Sequence, residues 1–314
     1  MCTAIRFDDD HDSMYFGRNL DWSEDYGEKF VFAPHDYHYQ PAFNAEDKNH
    51  PVLGIGIIVD DTPLYFDCAN DAGFAVAGLN YARYAKYAQE PVNFTTNVAA
   101  YEFPLWVTRN FTSVDDVQEA LKNVTIVAQA INKQYPVATL HWMIADAKRS
   151  IVVECDADGL HVYDDPVDTL TNQPPFPQQM ENLGNYAHVA PRTQKSVKWG
   201  NVSLATNQDA NSSEGLPGGY GSVARFVRAA YNNMHYPTQS GEKANVNRLF
   251  KTLSMVSVIE GTAISANGEF EKTLYTSCFS GATRTYYLKK YDDETVASCA
   301  MSDFDNSANT LQTK

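Results

Sequence analysis

The chain has 314 residues, 44% of them hydrophobic, which supplies a large buried core and excludes a disordered or fibrous class. Its formal net charge of −15 excludes a nucleic-acid binder, which needs a basic footprint, and a protein that docks on an anionic membrane surface. No apolar run reaches the roughly 18 residues of a membrane span, and the five cysteines (Cys2, Cys68, Cys155, Cys278, Cys299) include no Cys-x-x-Cys pair, so neither a zinc site nor a disulfide framework is expected.

Met1-Cys2 opens the chain. Removal of Met1 would leave Cys2 with a thiol and a free α-amino group on one residue. A thiol attacks as its thiolate, and an α-amine of pKa roughly 7.7–8.0 can take up that proton near neutral pH. The chemical reading is an N-terminal-nucleophile hydrolase; the plain alternative is a cysteine at position 2 without a role. Thr3–Phe7 and Met14–Arg18 read as the two strands of a hairpin around an Asp-rich turn (Asp8, Asp9, Asp10, Asp12), which pins Cys2 at the end of a buried strand. The second strand runs into Gly17-Arg18-Asn19-Leu20-Asp21-Trp22, so the hairpin brings Arg18 and Asp21 near Cys2. An arginine beside a thiol favours the thiolate, and a carboxylate beside an amine favours its ammonium form and orients it. A surface ion pair of little energetic weight is the alternative.

Residues 24–50 are polar and irregular, with Pro34 and Pro41. Val52–Val59 is a nearly continuous apolar run, as in a strand buried on both faces. Leu64–Cys68 and Phe74–Leu79 are further strands, joined through Asn70-Asp71-Ala72-Gly73, and Asn80 ends the second. Val98, Tyr101, Leu105 and Trp106 give Asn97–Phe111 helical spacing, with Pro104 kinking that helix or marking its true start. Ser113 caps a second helix through Leu121. Leu140–Ala145, Ser150–Cys155 and Leu160–Tyr163 form a strand meander with Asp158-Gly159 as a turn. Within it His141 reads as a satisfied core histidine, and the eight histidines show no metal spacing. Asn172 precedes a proline-rich turn. Like Asn80 it is either turn chemistry or a donor to a developing oxyanion.

Gln178–Tyr186 is a short helix and residues 196–221 are loop-rich. The helices Ser222–Met234, with Ser222 as its cap, and Asn245–Ile259 follow; Arg225 lies in the first turn of the former. Strands around Thr273–Phe279, Thr285–Tyr291 and Val296–Met301 close the chain. Strands in runs, helices in pairs and no dividing linker predict one α+β domain, residues 1–314, of layered sheets and helices. No phosphate-binding glycine motif is present, so nucleotide binding is not indicated.

Six segments in order resemble the choloylglycine hydrolase family over essentially the whole chain: Met1-Cys2-Thr3-Ala4, Tyr15 through Asp21, Ala77-Gly78-Leu79-Asn80, Leu140-His141-Trp142, Leu170 through Pro174 and Ser222 through Arg228. Leu216-Pro217-Gly218 and Thr273 through Ser277 add to the match. The resemblance, closest to the bile salt hydrolases of bifidobacteria, implies an αββα sandwich of two stacked antiparallel sheets, assembled as a homotetramer in a bacterial cytoplasm. It implies hydrolysis of the amide bond of glycine- or taurine-conjugated bile salts, with no metal or organic cofactor. Cys2 would be nucleophile and, through its amine, base. Arg18 and Asp21 would flank thiol and amine, Asn80 and Asn172 would hold the oxyanion and the substrate amide, and Arg225 would support the charge network. Leu20, Tyr26, Phe66, Ile131 and Leu140 fall in segments that line the acyl pocket of relatives.

The alternatives of the same chemistry are a penicillin V acylase and an N-acyl homoserine lactone acylase. Penicillin V acylases of this family often carry tyrosine in place of Asn80, so Asn80 leans toward bile salts. A non-catalytic bile-binding protein is the remote alternative. The chain departs from the family at Thr206 through Glu214 and at Gly219-Tyr220-Gly221, loops on the substrate side of relatives.

Overall fold

The computed structural model describes every residue except 44, 206, 207, 266 and 267. In chain order it runs β1 (Cys2–Asp8), β2 (Met14–Trp22), β3 (Lys29–Ala33), β4 (Val52–Val59), β5 (Thr62–Asn70), β6 (Ala75–Asn80) and β7 (Thr96–Ala99), then helices α1 (Phe103–Asn110) and α2 (Val114–Leu121). After these come β8 (Val124–Val127), β9 (Leu140–Ala145), β10 (Ser150–Asp156), β11 (Gly159–Asp164), β12 (Thr169–Leu170), α3 (Phe176–Leu183), β13 (Val197–Trp199) and β14 (Val202–Leu204). The last third holds α4 (Ser222–His235), α5 (Glu242–Ser254), β15 (Lys272–Ser280), β16 (Thr285–Lys290), β17 (Val296–Ala300) and β18 (Gln312–Thr313).

Two antiparallel sheets carry the architecture. One has the order β12-β1-β2-β15-β16-β17, the other β11-β10-β9-β6-β5-β4-β3-β18. The period-2 alternation of side chains sets the layers. Along β1, Cys2 and Ala4 enter the apolar core between the sheets, where they meet Phe30, Leu53, Ala77 and Leu79 of the opposite sheet. Ile5 and Phe7 point the other way and pack under α4 and α5 with Ala229, Leu249 and Leu253. On the second sheet Leu53 and Ala77 face inward, while Val52 and Val76 face outward against Phe103, Leu105 and Val117 of α1 and α2. Three cores between four layers make the αββα sandwich. Gly17 on β2 permits the approach of the helix layer. A Cβ there would fall 2.1 Å from the Ser277 carbonyl oxygen and 3.0 Å from Leu249.

The hairpin at the start forms as the sequence predicts, with Cys2 opposite Leu20 and Ala4 opposite Arg18. Several predicted elements change. Residues 24–50 contain β3, whose Phe30 and Phe32 fill the inter-sheet core. Asn97–Phe111 is a strand followed by a helix: β7 pairs in parallel with β8, and Pro104 stands in the first turn of α1, where its missing N–H costs no hydrogen bond. The Asn97 side chain is bonded to Val92 across a loop, which explains why its apolar spacing does not continue as helix. Gly221, not Ser222, is the N-cap of α4. Helix α5 begins three residues early, after Gly241 at φ +80°, and ends at Ser254. The loop-rich stretch 196–221 holds the exposed hairpin β13–β14; Thr206 and Asn207 lie outside the described residues.

Candidate active site

The site lies where β1 begins, at the seam between the inter-sheet core and the α4 layer. Cys2 is 2% exposed and its side chain faces the second sheet with those of Arg18 and Leu20, two residues apart on β2. Arg18 Nη2 donates to Cys2 Sγ at 2.7 Å. Its Nη1 donates to the carbonyls of Phe66, at 3.0 Å, and Gly78, at 2.5 Å, so the guanidinium bridges the two sheets and is held rigid against the thiol. Burial works against this charge, but the Cys2 thiol group, Tyr275, Asp67 and Asp21 together keep the Arg18 pKa above its ordinary value. The other four thiols are Cys68, Cys155, Cys278 and Cys299, all buried. Burial pushes Cys155 and Cys299 up to about 11 and moves Cys68 and Cys278 higher still, so none of them presents a thiolate near neutral pH.

The backbone side of Cys2 is equally enclosed. Cys2 N donates to Asn172 Oδ1 at 2.9 Å. Arg225 reaches down from α4, donating through Nη2 to Asn172 Oδ1 at 2.6 Å and through Nη1 to the Cys2 carbonyl and, at 2.6 Å, to Thr3 Oγ1. The same Nη1 lies 3.7 Å from Asp21 Oδ2, and both residues are fully buried. Thr273 Oγ1 donates to Asp21 Oδ1 at 2.6 Å, while Asp21 Oδ2 has no hydrogen-bond partner among the described residues. Burial raises the Asp21 pKa against the pull of Arg225 and the chain's ammonium terminus, and burial lowers that of Arg225 against the pull of Asp21. Both charges are costly to hold, as buried ion pairs are.

Met1 is present. Its amine donates to the Asp21 carbonyl at 2.5 Å and to Glu271 at 3.2 Å, and Asp21 N donates to the Met1 carbonyl at 2.9 Å. With Met1 attached, the Cys2 nitrogen is an amide with one proton, which Asn172 takes. A free Cys2 ammonium would have three, and Asp21 Oδ2 is a buried acceptor beside the first residue with nothing to accept.

The structure thus brings together Cys2, Arg18, Asp21, Asn172 and Arg225. It places Asn172, rather than Asp21, on the Cys2 nitrogen. Asn80 joins through its backbone: its carbonyl accepts from Asn172 Nδ2 at 2.7 Å, and Thr139 donates to its Oδ1 at 3.4 Å, leaving its half-buried Nδ2 without a hydrogen bond among the described residues. Among the predicted pocket residues, Leu20 is packed in the inter-sheet core beside Cys2. Tyr26 and Phe66 form a ring pair with centroids 6.0 Å apart, and Leu140 lies opposite Asn80 in the β6–β9 pairing. Ile131 sits on the loop between β8 and β9. Behind Arg18 stands Asp67, which the sequence reading left out, with Tyr275 and Ser277. Asp67, fully buried, accepts from Tyr275 at 2.7 Å and from Ser277 at 2.8 Å, and Ser277 Oγ accepts from Arg18 N at 3.3 Å. The available signal is an acidic residue inside the apolar run of β5, since a buried carboxylate requires partners.

The loop that carries Tyr26 also contains Glu28, 3% exposed, whose carboxyl is raised to about 7 by burial with help from Asp25. A carboxyl that titrates higher folded than unfolded lends its full stability below the unfolded value of about 4.5 and loses it as pH rises through about 7. Glu28→Gln is therefore expected to raise the melting temperature at pH 8 and to leave it unchanged at pH 4, as read by calorimetry at the two values.

Three comparisons complete the picture. The family model described as "Linear amide C-N hydrolases, choloylglycine hydrolase family" matches residues 2–312. The chain is 51% identical over 313 residues to a "Bile salt hydrolase/transferase" of Bifidobacterium longum subsp. longum, covering 99% of this chain and 98% of that one. It is 45% identical over 309 residues to a "Conjugated bile acid hydrolase" of Lactobacillus gasseri, covering 94% and 98%. A crystal structure of a mutant conjugated bile acid hydrolase from Clostridium perfringens superposes with a TM-score of 0.92 at 30% identity, over 100% of this chain and 96% of that one. Penicillin V acylase from Agrobacterium tumefaciens superposes with a TM-score of 0.76 at 18% identity, over 99% and 90%, a likeness of fold.

Proposed function

The chain belongs to the choloylglycine hydrolase family of linear amide C–N hydrolases, and from that premise we propose that it hydrolyses glycine- and taurine-conjugated bile salts through Cys2 once Met1 has been removed. The single observation that carries this reading is the 2.7 Å contact from Arg18 to the Cys2 thiol inside a buried cluster of opposite charges. The relatives named as a bile salt hydrolase/transferase and a conjugated bile acid hydrolase support the substrate class.

The free α-amine of Cys2 takes the thiol proton, and Arg18 stabilises the thiolate. The thiolate attacks the amide carbonyl, forming the C–S bond and a tetrahedral oxyanion. Asn80 Nδ2, the donor left open, and the second proton of Asn172 Nδ2 are the groups that receive that charge. Collapse breaks the C–N bond, and the leaving glycine or taurine nitrogen takes the proton from the Cys2 ammonium. Water, deprotonated by the same amine, then attacks the thioester carbonyl and releases the bile acid and the thiolate. Asp21 holds the ammonium form between the two steps, and Arg225 fixes Asn172 and the Cys2 carbonyl. The steroid half lies against Leu20, Tyr26, Phe66, Ile131 and Leu140, an apolar lining with few polar anchors.

The test is release of free glycine from glycocholate and taurine from taurocholate by protein whose N-terminus is shown to be Cys2. Release from both, with penicillin V turned over more slowly, is expected; intact conjugates after prolonged incubation would refute the reading.

A homotetramer is part of the proposal. Hairpin β13–β14 exposes Trp199 at 75% and Val202 at 59%, and an isolated two-stranded hairpin is marginal in water. Exposed apolar residues on such an arm mark an association surface. Replacing Trp199 and Val202 by serine is expected to convert a tetramer into smaller species in size-exclusion light scattering. A wild-type chain that elutes as a monomer at micromolar concentration would contradict it. The cytoplasm is the proposed location, since five unpaired, buried cysteines suit a reducing compartment; no helix among the described residues is long and apolar enough to cross a membrane.

A further inference from the structure

We propose that the buried pair His141–Glu154 is the positioning device for both asparagines of the site, an inference that rests on the amidase reading above. His141 is fully buried on β9, and Glu154 is fully buried on the neighbouring β10. His141 Nε2 donates to the Thr171 carbonyl at 3.0 Å, and Nδ1 meets Glu154 Oε1 at 2.9 Å. A carbonyl oxygen only accepts, so Nε2 carries a proton. A second proton lies between Nδ1 and Oε1, whichever atom holds it. The other end of the turn is fastened to the same pair, since Phe176 N donates to both Glu154 oxygens at 3.1 and 3.0 Å. Histidine and glutamate thus clamp the start and the end of the segment 171–176, which presents Asn172.

The ring face of His141 serves the second asparagine. Tyr81 stacks on it with centroids 4.4 Å apart and planes 5° from parallel. Tyr81 follows Asn80, and Thr171 precedes Asn172, so one imidazole touches the chain neighbour of each. The two asparagines are themselves joined, Asn172 Nδ2 to the Asn80 carbonyl at 2.7 Å. Ser222 Oγ and Gln179 Nε2 fix the Asn172 backbone from the helix side. This network does not touch the Cys2 thiol or Arg18; its one link to Cys2 is Asn172 Oδ1, which accepts from the Cys2 nitrogen at 2.9 Å and is held there independently by Arg225 at 2.6 Å, so the network governs where the oxyanion donors stand more than how reactive the thiol is.

The two properties separate in experiment. His141→Leu keeps the apolar packing and removes both hydrogen bonds. Its kcat on glycocholate, corrected for folded fraction, is expected to fall about 10- to 100-fold, the scale of a misplacement near 1 Å. KM and the iodoacetamide alkylation rate of Cys2 are expected to stay within about twofold, since the acyl pocket and the thiol side are untouched. His141→Gln, whose amide can reach the Thr171 carbonyl, is expected to recover most of the loss. If the leucine variant does not fold, Glu154→Gln carries the test with the same readouts. Folded variants with wild-type kcat would overturn the inference alone. So would a fall in kcat and in alkylation rate together with a rise in KM, without rescue, the mark of a merely structural role. A wild-type protein that released no glycine would overturn the substrate reading and this inference with it.

Discussion

Cys2→Ala is expected to abolish amine release, lowering kcat by at least about 10⁴-fold, while leaving the fold and the affinity for conjugated bile salt nearly unchanged. The size follows from what is removed. The thiol supplies the atom that forms the covalent bond, and Arg18 is aimed at Sγ from 2.7 Å. The fold tolerates the change because alanine occupies the same strand position, in register with Leu20, and the backbone bonds to Asn172 and Arg225 do not involve the side chain. Cys2→Ser is the sharper control. It keeps the α-amine and a nucleophile of similar shape, but a hydroxyl is far harder to ionise than a thiol, so activity is expected to remain at least about 10³-fold down. Stopped assays of free glycine, with calorimetric binding of glycocholate to each variant, check both numbers. A serine enzyme with near wild-type turnover would show that nucleophilic attack by sulfur is not the chemistry.

Asp21→Asn is expected to damage stability and turnover together. Asp21 and Arg225 are both fully buried, 3.7 Å apart, and burial opposes the charge of each. Neutralising one partner leaves the other uncompensated, a loss of about 3–5 kcal/mol for buried pairs, which in a chain of this size lowers the melting temperature by about 10 °C. Turnover is expected to fall by more than about 100-fold, because Asp21 Oδ2 is the acceptor waiting for the freed Cys2 ammonium and Arg225 is the donor that fixes Asn172. Thr273→Val separates the effects. It keeps both buried charges and removes the hydrogen bond to Asp21 Oδ1 together with the one Thr273 Oγ1 accepts from Val258 N at 2.8 Å, so its stability cost is expected to be about 2 kcal/mol, with activity within about tenfold.

Much of this architecture is legible because strands declare themselves by alternation. Val52–Val59, the β9–β10–β11 meander and the opening hairpin match the sequence reading closely. The hairpin alone puts Arg18 and Asp21 on opposite faces of β2 and near Cys2, so the thiol and amine sides of the site follow from spacing. What spacing cannot supply is the tertiary partner. Lys29–Ala33 holds only four apolar residues in a row, too short a signal beside two prolines, and it becomes a strand because the growing sheet offers it β4 and β18. Ser222 reads as a helix cap by type and position, yet its hydroxyl is taken by Asn172 N at 2.9 Å, and the cap falls one residue earlier. His141 reads correctly as a satisfied core histidine. That its partners are the two ends of the Asn172 turn is invisible until Thr171 and Glu154 are brought to it from separate parts of the chain. Asp67 and the Tyr275–Ser277 segment meet in the same way, across two sheets.

The central claim is that Cys2, as the first residue of the mature chain, forms a thioester with the acyl half of the substrate. Acid quenching of the enzyme during turnover of glycocholate, followed by peptide mass spectrometry, tests it most directly. The expected result is a peptide that begins at Cys2, without Met1, and carries the mass of the bile acid less one water, with the adduct removed by hydroxylamine. Active enzyme that retains Met1, or an acyl adduct on any residue other than Cys2, would contradict it.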